Sequence, residues 1–321
     1  MSNGAPARRF MLRAGANFMP KIIEMRAAVC YNGGMDGVSV KSYAKINLSL
    51  DITGARGGYH NIDSVVASID LADEITATAR ADGEIAVTMS GMGCENLPPE
   101  RNNAVKAALQ FVRRFNTRGA DISIRKLIPV GAGLGGSSAD VAGVLNALSV
   151  LYGIDDYPAV KDIADSVGSD CGYMLRGGFA RLTGRGERVC PIDCGLQLYL
   201  ILALPAEGVS TQRCYALSDV YPAKRRTSAA VQRAILGGQL HELGVSLSNG
   251  LGPAAAVINP QIREAYDDLS SLGALGVNMT GSGSAVYALF KDKTARDEAL
   301  GSYKGVHPAL AACTVIPPRY I

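Results

Sequence analysis

"PVGAGLGGSSADVAGVLNAL", Pro129 to Leu148, sets four glycines and two serines between Gly131 and Ser138 and then continues as apolar residues at helical spacing. The preceding "ADISIRKLIPV", Ala120 to Val130, alternates like a strand, so the order is strand, glycine turn, helix. Glycine lets a backbone turn sharply and lets a ligand approach it closely. A helix start adds free N–H groups and the positive end of the dipole. Together these make an anion site; the competing reading is a well-capped helix start with no ligand. Ser137 or Ser138 would serve as the cap, and Ser137 to Asp140 fits the Ser-x-x-Asp form of the capping box.

The surroundings exclude two of the ligands such a turn is known to hold. Gly131, Gly133 and Gly136 spell GxGxxG, with Asp155 and Asp156 about twenty residues on. A dinucleotide site needs its acid at the end of a second strand, and only "GIDDYP" separates this helix from the next. No Lys follows the last glycine, which excludes a Walker A loop. Asp140 would repel a bound phosphate unless it faces away or meets a cation such as Mg²⁺.

At 321 residues and 48% hydrophobic, the chain has apolar material for two ordinary domains. The net charge of +3, with acids and bases interspersed, leaves no footprint for nucleic acid and favours a small-molecule substrate. Seven cysteines without CxxC spacing and three histidines fit reduced thiols in a cytoplasmic protein, and argue against zinc, including at Cys190 and Cys194. No apolar run approaches the ~18 residues of a membrane span. Residues 1–34 read as a disordered extension or an over-long gene start, with Met35 just before the first regular pattern.

Working outward, "VSVKSYAKINLSLDI" (Val38–Ile52) reads as a strand that Gly54, Gly57 and Gly58 then break, and "EIAVTMSG" as another. "NNAVKAALQFVRRF" is an amphipathic helix, and "LQLYLILALPAEGVST" is a buried strand followed by a loop. Helical sequence runs from about Ser228 to Leu272, and "GVNMTGSGSAVYALFKD" returns to a strand through a second glycine turn. Strands and helices are partly segregated, which predicts α+β layers. In "AKINL", Ala44, Ile46 and Leu48 form one apolar face, so Lys45 and Asn47 share the other and are able to act side by side.

These motifs resemble the GHMP kinases, the superfamily of galacto-, homoserine, mevalonate and phosphomevalonate kinases. Its phosphate loop follows Pro-x-x-x-Gly-Leu-x-x-x-Ser, here Pro129, Gly133, Leu134 and Ser138. "SYAKINLSLDITGARGGYH" (Ser42–His60) is similar to one branch in particular, which phosphorylates the 2-hydroxyl of 4-diphosphocytidyl-2-C-methyl-D-erythritol in the non-mevalonate route to isoprenoid precursors. "GSDCGYMLRGGFARLTGRGE", "GVST" and "MTGSGSAVYALF" extend the likeness over nearly everything after Val38. Three places depart from it. The hairpin turn is one residue shorter and reads Arg56, Gly57, Gly58 without the usual acid. Cys171 and Gly172 stand where Val-Pro is usual, and Asn249, Gly250, Leu251 and Gly252 replace Asn-Asp-Leu-Glu.

The resemblance implies a two-domain α+β fold. An N-terminal ribosomal-protein-S5-like domain would cover 35–188, and a C-terminal ferredoxin-like α/β sandwich 189–321, its last strand a candidate to return to the first domain. It implies ATP and Mg²⁺, a small-molecule acceptor, and a monomer or homodimer that binds neither nucleic acid nor membrane. Pro129, Gly131, Ala132, Gly133, Leu134, Gly135, Gly136, Ser137 and Ser138 would hold the phosphates. Asn102 at a helix start would lie near the nucleotide, an ordinary N-cap being the equal alternative. Asp170 would orient or deprotonate the acceptor hydroxyl with Lys45 beside it. Asn47, Tyr59 and His60 would bind the cytidyl substrate, and Tyr215 is either a further stacking face or a surface tyrosine. The metal ligands are left open, with Ser138 or Asp140 as candidates for a contact made directly or through water. The turn at Gly281, Gly283 and Ser284 is expected to pack against the first glycine turn. A sister kinase for homoserine or a mevalonate derivative is the nearest alternative activity, and a non-catalytic nucleotide-binding protein is the alternative of another class.

Overall fold

The computed structural model describes residues 37–92, 102–223 and 225–321; the expected extension over 1–34 lies outside them. The chain opens on a long antiparallel hairpin, β1 (Gly37–Arg56) and β2 (Tyr59–Ala79). Arg56 pairs with Tyr59, and Gly57 and Gly58 between them take φ of +59° and +79°. Two successive left-handed residues match a type I′ turn, which follows the twist of the strands, so this shorter loop is complete as it stands. Gly54 does not end β1 as expected: it sits at a register shift between Ile52 and Gly54, a bulge that the pairing runs through.

β3 (Ile85–Gly91), α1 (Asn103–Phe115) and β4 (Ala120–Lys126) make a crossover between two parallel strands. Next come α2 (Gly136–Tyr152), α3 (Tyr157–Val167), α4 (Cys171–Met174), β5 (Phe179–Gly184) and β6 (Arg188–Pro191). The second half contributes β7 (Tyr199–Ala203), α5 (Thr211–Ser218), α6 (Ser228–Leu236), α7 (Leu240–Ser246), β8 (Ser248–Asn249), α8 (Gly252–Ile258) and α9 (Gln261–Ser270). It finishes with β9 (Gly276–Met279), β10 (Val286–Phe290), α10 (Lys293–Ser302) and β11 (Ala309–Cys313). The expected helical stretch over 228–272 is thus four helices, interrupted at Gly237–Gly238, by β8 and at Asn259–Pro260.

One sheet has the order β3-β4-β2-β1-β8, with β5 and then β6 added on β2; the other is antiparallel in the order β11-β7-β10-β9. The last strand therefore stays in the second sheet instead of returning to the first. It is the tail beyond it that goes back, with Val315 N–H on the Ser68 carbonyl at 3.0 Å and the Tyr320 hydroxyl accepting from Lys41 N–H at 3.2 Å. Every residue of α2 from Ala139 to Ser149 is buried, as befits a helix apolar on all sides and enclosed by the sheet, α1 and α3. Gly143 makes that seat possible, since a Cβ there would press into Ile75 and Ser42. The site-bearing end of α2 is thereby held against a rigid sheet.

Candidate functional site

The glycine turn leaves β4 and reaches α2 through Gly131, Gly133 and Gly135, with φ of +74°, +76° and +77°. These are left-handed conformations that L side chains avoid. Gly135 is the N-cap of α2, and no side chain caps the helix. The expected capping box is therefore absent: Gly135 occupies the cap position, and the Asp140 carboxylate is engaged elsewhere. The first amides of α2 face the turn without a side-chain acceptor, the arrangement that receives an anion.

The second glycine turn packs on the first, as expected. Ala285 N–H donates to the Ala132 carbonyl at 3.0 Å, and the Thr280 hydroxyl donates to the Gly133 carbonyl at 3.1 Å. A Cβ at Gly133 would strike the Thr280 carbonyl, and one at Gly281 would come within 2.6 Å of the Gly133 carbonyl. Asn249 secures this second turn by donating to the carbonyls of Met279 and Gly281, each at 2.8 Å. Gly250 follows it with its amide donating to the Leu50 carbonyl at 2.6 Å, and a Cβ there would come within 2.9 Å of that same carbonyl oxygen.

Between the turns and the hairpin lies a cleft of about 470 Å³. Pro129, Gly131, Ala132, Gly133, Leu134, Gly135, Gly136, Ser137, Ser138, Asn102, Lys45, Asn47, Asp170 and Tyr215 line it. Lys45 projects from β1 and is 4% exposed. Its Nζ donates to Asn47 Oδ1 at 2.6 Å and to the Gly133 carbonyl at 3.1 Å, and stands 3.9 Å from Asp170 Oδ2. Burial lowers the Lys45 pKa, and the Asp170 charge partly opposes this. Asp170 precedes α4 and its side chain is one-third exposed (34%). Lys45 is its one ion-pair partner among the described residues. A carboxylate open to a cleft beside a buried ammonium suits proton acceptance from a bound hydroxyl.

Asn47 does share the Lys45 side of β1, but its groups are largely engaged within the protein. Oδ1 accepts from Lys45 and from Gly281 N–H at 2.9 Å, and Nδ2 donates to Ser64 Oγ at 2.8 Å. It fixes Lys45 and the second turn relative to each other. Asn102 caps α1, its Oδ1 accepting from Ala104 N–H at 2.9 Å, while also lining the cleft; the two readings of this residue are compatible.

At the hairpin end, His60 stacks on Tyr215 with ring centroids 5.3 Å apart, and its Nε2 meets Asp219 Oδ1 at 2.9 Å. Burial raises the Tyr215 pKa, so its hydroxyl stays protonated. Tyr59 is exposed and does not line the cleft itself. It carries instead the Arg185 guanidinium, 3.8 Å above its ring, and Arg185 does line the cleft. Arg185 is a residue the sequence reading missed, although it stands inside "GRGE" between two glycines, a local signal for an exposed basic tip.

Asp140, the acid left unexplained beside the phosphate turn, has its cation. Lys126 Nζ lies 2.9 Å from both Asp140 oxygens and also pairs with Asp73. Asp73 in turn accepts from the amides of Leu127 and Ile128 at 2.6 and 2.8 Å. Burial pushes the Asp140 carboxyl up to about 7, against the pull of Lys126. Its oxygens being so engaged, Asp140 does not fit a metal ligand. No group of three or more His, Cys, Asp or Glu among the described residues is placed to hold a metal ion.

Among these residues no helix is long and apolar enough to cross a membrane. Residues 102–179 match the family model "GHMP kinases N terminal domain", and residues 230–306 match "GHMP kinases C terminal". A 4-diphosphocytidyl-2-C-methyl-D-erythritol kinase of Pelotomaculum thermopropionicum is 35% identical over 88% of this chain and 99% of its own. One from Exiguobacterium sibiricum is 36% identical over 78% and 88%. A crystal structure of 4-(cytidine 5'-diphospho)-2C-methyl-D-erythritol kinase superposes with a TM-score of 0.71 at 27% identity, covering 86% of this chain and 99% of that one. A homoserine kinase from Cytophaga hutchinsonii shares the fold at a TM-score of 0.69 and 18% identity.

Proposed function

The chain belongs to the GHMP kinases, and from that premise we propose that it transfers the γ-phosphate of ATP to the 2-hydroxyl of 4-diphosphocytidyl-2-C-methyl-D-erythritol. The observation that carries this reading is the meeting of Lys45 and Asp170 at 3.9 Å in the same cleft that the glycine turn lines. The names of the relatives support the choice of acceptor over homoserine or mevalonate.

In this reading the amides of the turn and of the first α2 residues hold the ATP phosphates, with Ser137 and Ser138 adding hydroxyls. Asp170 accepts the proton of the acceptor hydroxyl as its oxygen bonds to the γ-phosphorus and the bond to ADP breaks. Lys45 offsets the negative charge gathering between nucleophile and phosphoryl group. The His60–Tyr215 stack supplies a face for cytosine, and Arg185 on Tyr59 presents donors suited to the diphosphate. Mg²⁺ enters as part of the ATP–Mg substrate, and Asp140 takes no part in its coordination. The protein works in the cytoplasm as a monomer or homodimer, one chain supplying every residue of the site.

The test is a panel of acceptors given to the purified protein with ATP–Mg, ADP release being read for each. Turnover with the cytidyl substrate and none with homoserine or mevalonate supports the reading. Turnover with either of the latter alone overturns the acceptor, and nucleotide binding without turnover on any alcohol favours a non-catalytic binder.

A further inference from the structure

Asp73, Lys126 and Asp140 form an ion cluster directly behind the phosphate turn, and the transfer chemistry makes no use of it. The three side chains come from β2, the end of β4 and the first turns of α2. None is more than 5% exposed. Two carboxylates and one ammonium give it a net charge of −1 when all are ionised. The ammonium also lies 3.5 Å from the carbonyl of Gly136, the first residue of α2. Both Lys126 and Asp140 border the cleft.

A lone lysine at this place would strengthen the grip of the turn on phosphate. The second carboxylate, Asp140, offsets that gain through a barely solvated gap, where charges act strongly on one another. Asp73 is differently placed: its carboxylate also ties down the amides of Leu127 and Ile128 at the entry to the turn. The cluster thus splits into a brace, Asp73, and a charge pair bordering the cleft, Lys126 and Asp140.

We infer that Lys126 and Asp140 are positioning residues that set the charge behind the phosphate turn, tempering its hold on nucleotide so that ADP leaves after transfer. The inference rests on the reading of the turn as an ATP site, but not on the identity of the acceptor. It is tested on the full chain by equilibrium binding of ADP and of ATP–Mg without acceptor, alongside steady-state kinetics.

Asp140→Asn keeps the shape and, at pH 8 or above where the Asp140 carboxyl raised to about 7 is ionised, removes its charge; measured there, both nucleotides are expected to bind about threefold tighter or more. Its KM for the acceptor should stay within about twofold, because that part of the cleft is untouched. Lys126→Met leaves the two carboxylates behind the turn without their cation and is expected to weaken both nucleotides about tenfold or more. Lys126→Arg retains the charge and should restore affinity to within about threefold of the parent. A simple brace would weaken binding in every variant, so weaker nucleotide binding by Asp140→Asn in a protein that melts like the parent overturns the inference. Unchanged nucleotide binding in that variant overturns it equally. Where Lys126→Met fails to fold, Asp140→Asn and Lys126→Arg still decide. Failure of the underlying ATP reading looks different, since the parent protein itself would then bind neither nucleotide.

Discussion

Replacing Lys45 by Met keeps an unbranched stem against Gly135, near which the Lys45 chain already lies, and removes only the ammonium. That ammonium stands 3.9 Å from Asp170, a separation worth about 4 kcal/mol at an effective dielectric near 20. Asp170 is 34% exposed, so water screens part of this; about half, roughly 2 kcal/mol, is a reasonable share. The developing charge on the transferred group adds to the loss, bringing it to about 2–3 kcal/mol, or a fall in kcat of roughly 30- to 150-fold. Turnover of the cytidyl substrate with coupled ADP detection reads kcat, and nucleotide binding without acceptor serves as the control. The pH profile supplies a second readout with a definite sign. Burial lowers the Lys45 pKa, so as pH rises the ammonium is lost, and activity with it, at a lower pH than for an ordinary lysine. A kcat within threefold of the parent, with an unshifted alkaline limb, would refute the role given to Lys45.

Asp170→Asn is expected to leave ATP binding nearly intact while turnover drops by about 10²–10⁴-fold, the usual contribution of a positioned base; isothermal binding beside steady-state kinetics checks both halves. Gly133→Ala forces a side chain at φ +76° into the Thr280 carbonyl. It should cost about 2–4 kcal/mol of stability, seen as a lower denaturant midpoint with the slope unchanged. Tyr215→Ala removes one ring of the His60 stack, which should raise the KM for the cytidyl acceptor about tenfold or more and leave the KM for ATP unaltered; kinetics with each substrate varied in turn separates the two.

Much of this site was legible in the sequence because it is local. The strand, turn and helix around Gly133 follow from glycine spacing and apolar period, and the pairing of Lys45 with Asn47 follows from strand alternation. The pairing of the two glycine turns needed only the expectation that small residues allow close backbone approach. What escaped is carried by distance in sequence. Lys126 looks like any charged residue at a strand end, and Asp73 lies in a different strand; only the pairing of β2 with β4 brings them together. The cap departs from expectation for a local reason: Ser137 and Ser138 are good caps, but Gly135 in the left-handed region starts the helix before either of them. Arg185 escaped because its partner, Tyr59, sits at the far tip of the hairpin, and the meeting depends on how β5 runs beside β2.

The central claim is that the Lys45–Asp170 cleft phosphorylates one particular hydroxyl, and identifying the product tests it most directly. After incubation of the protein with ATP–Mg and the cytidyl substrate, phosphorus and carbon-13 NMR of the isolated product should show one new phosphomonoester, split by the quaternary C2 of the methylerythritol unit and by no carbon-bound proton, with one ADP formed per product. A phosphate at another hydroxyl, or ADP formed with the cytidyl compound returned unchanged, would contradict it.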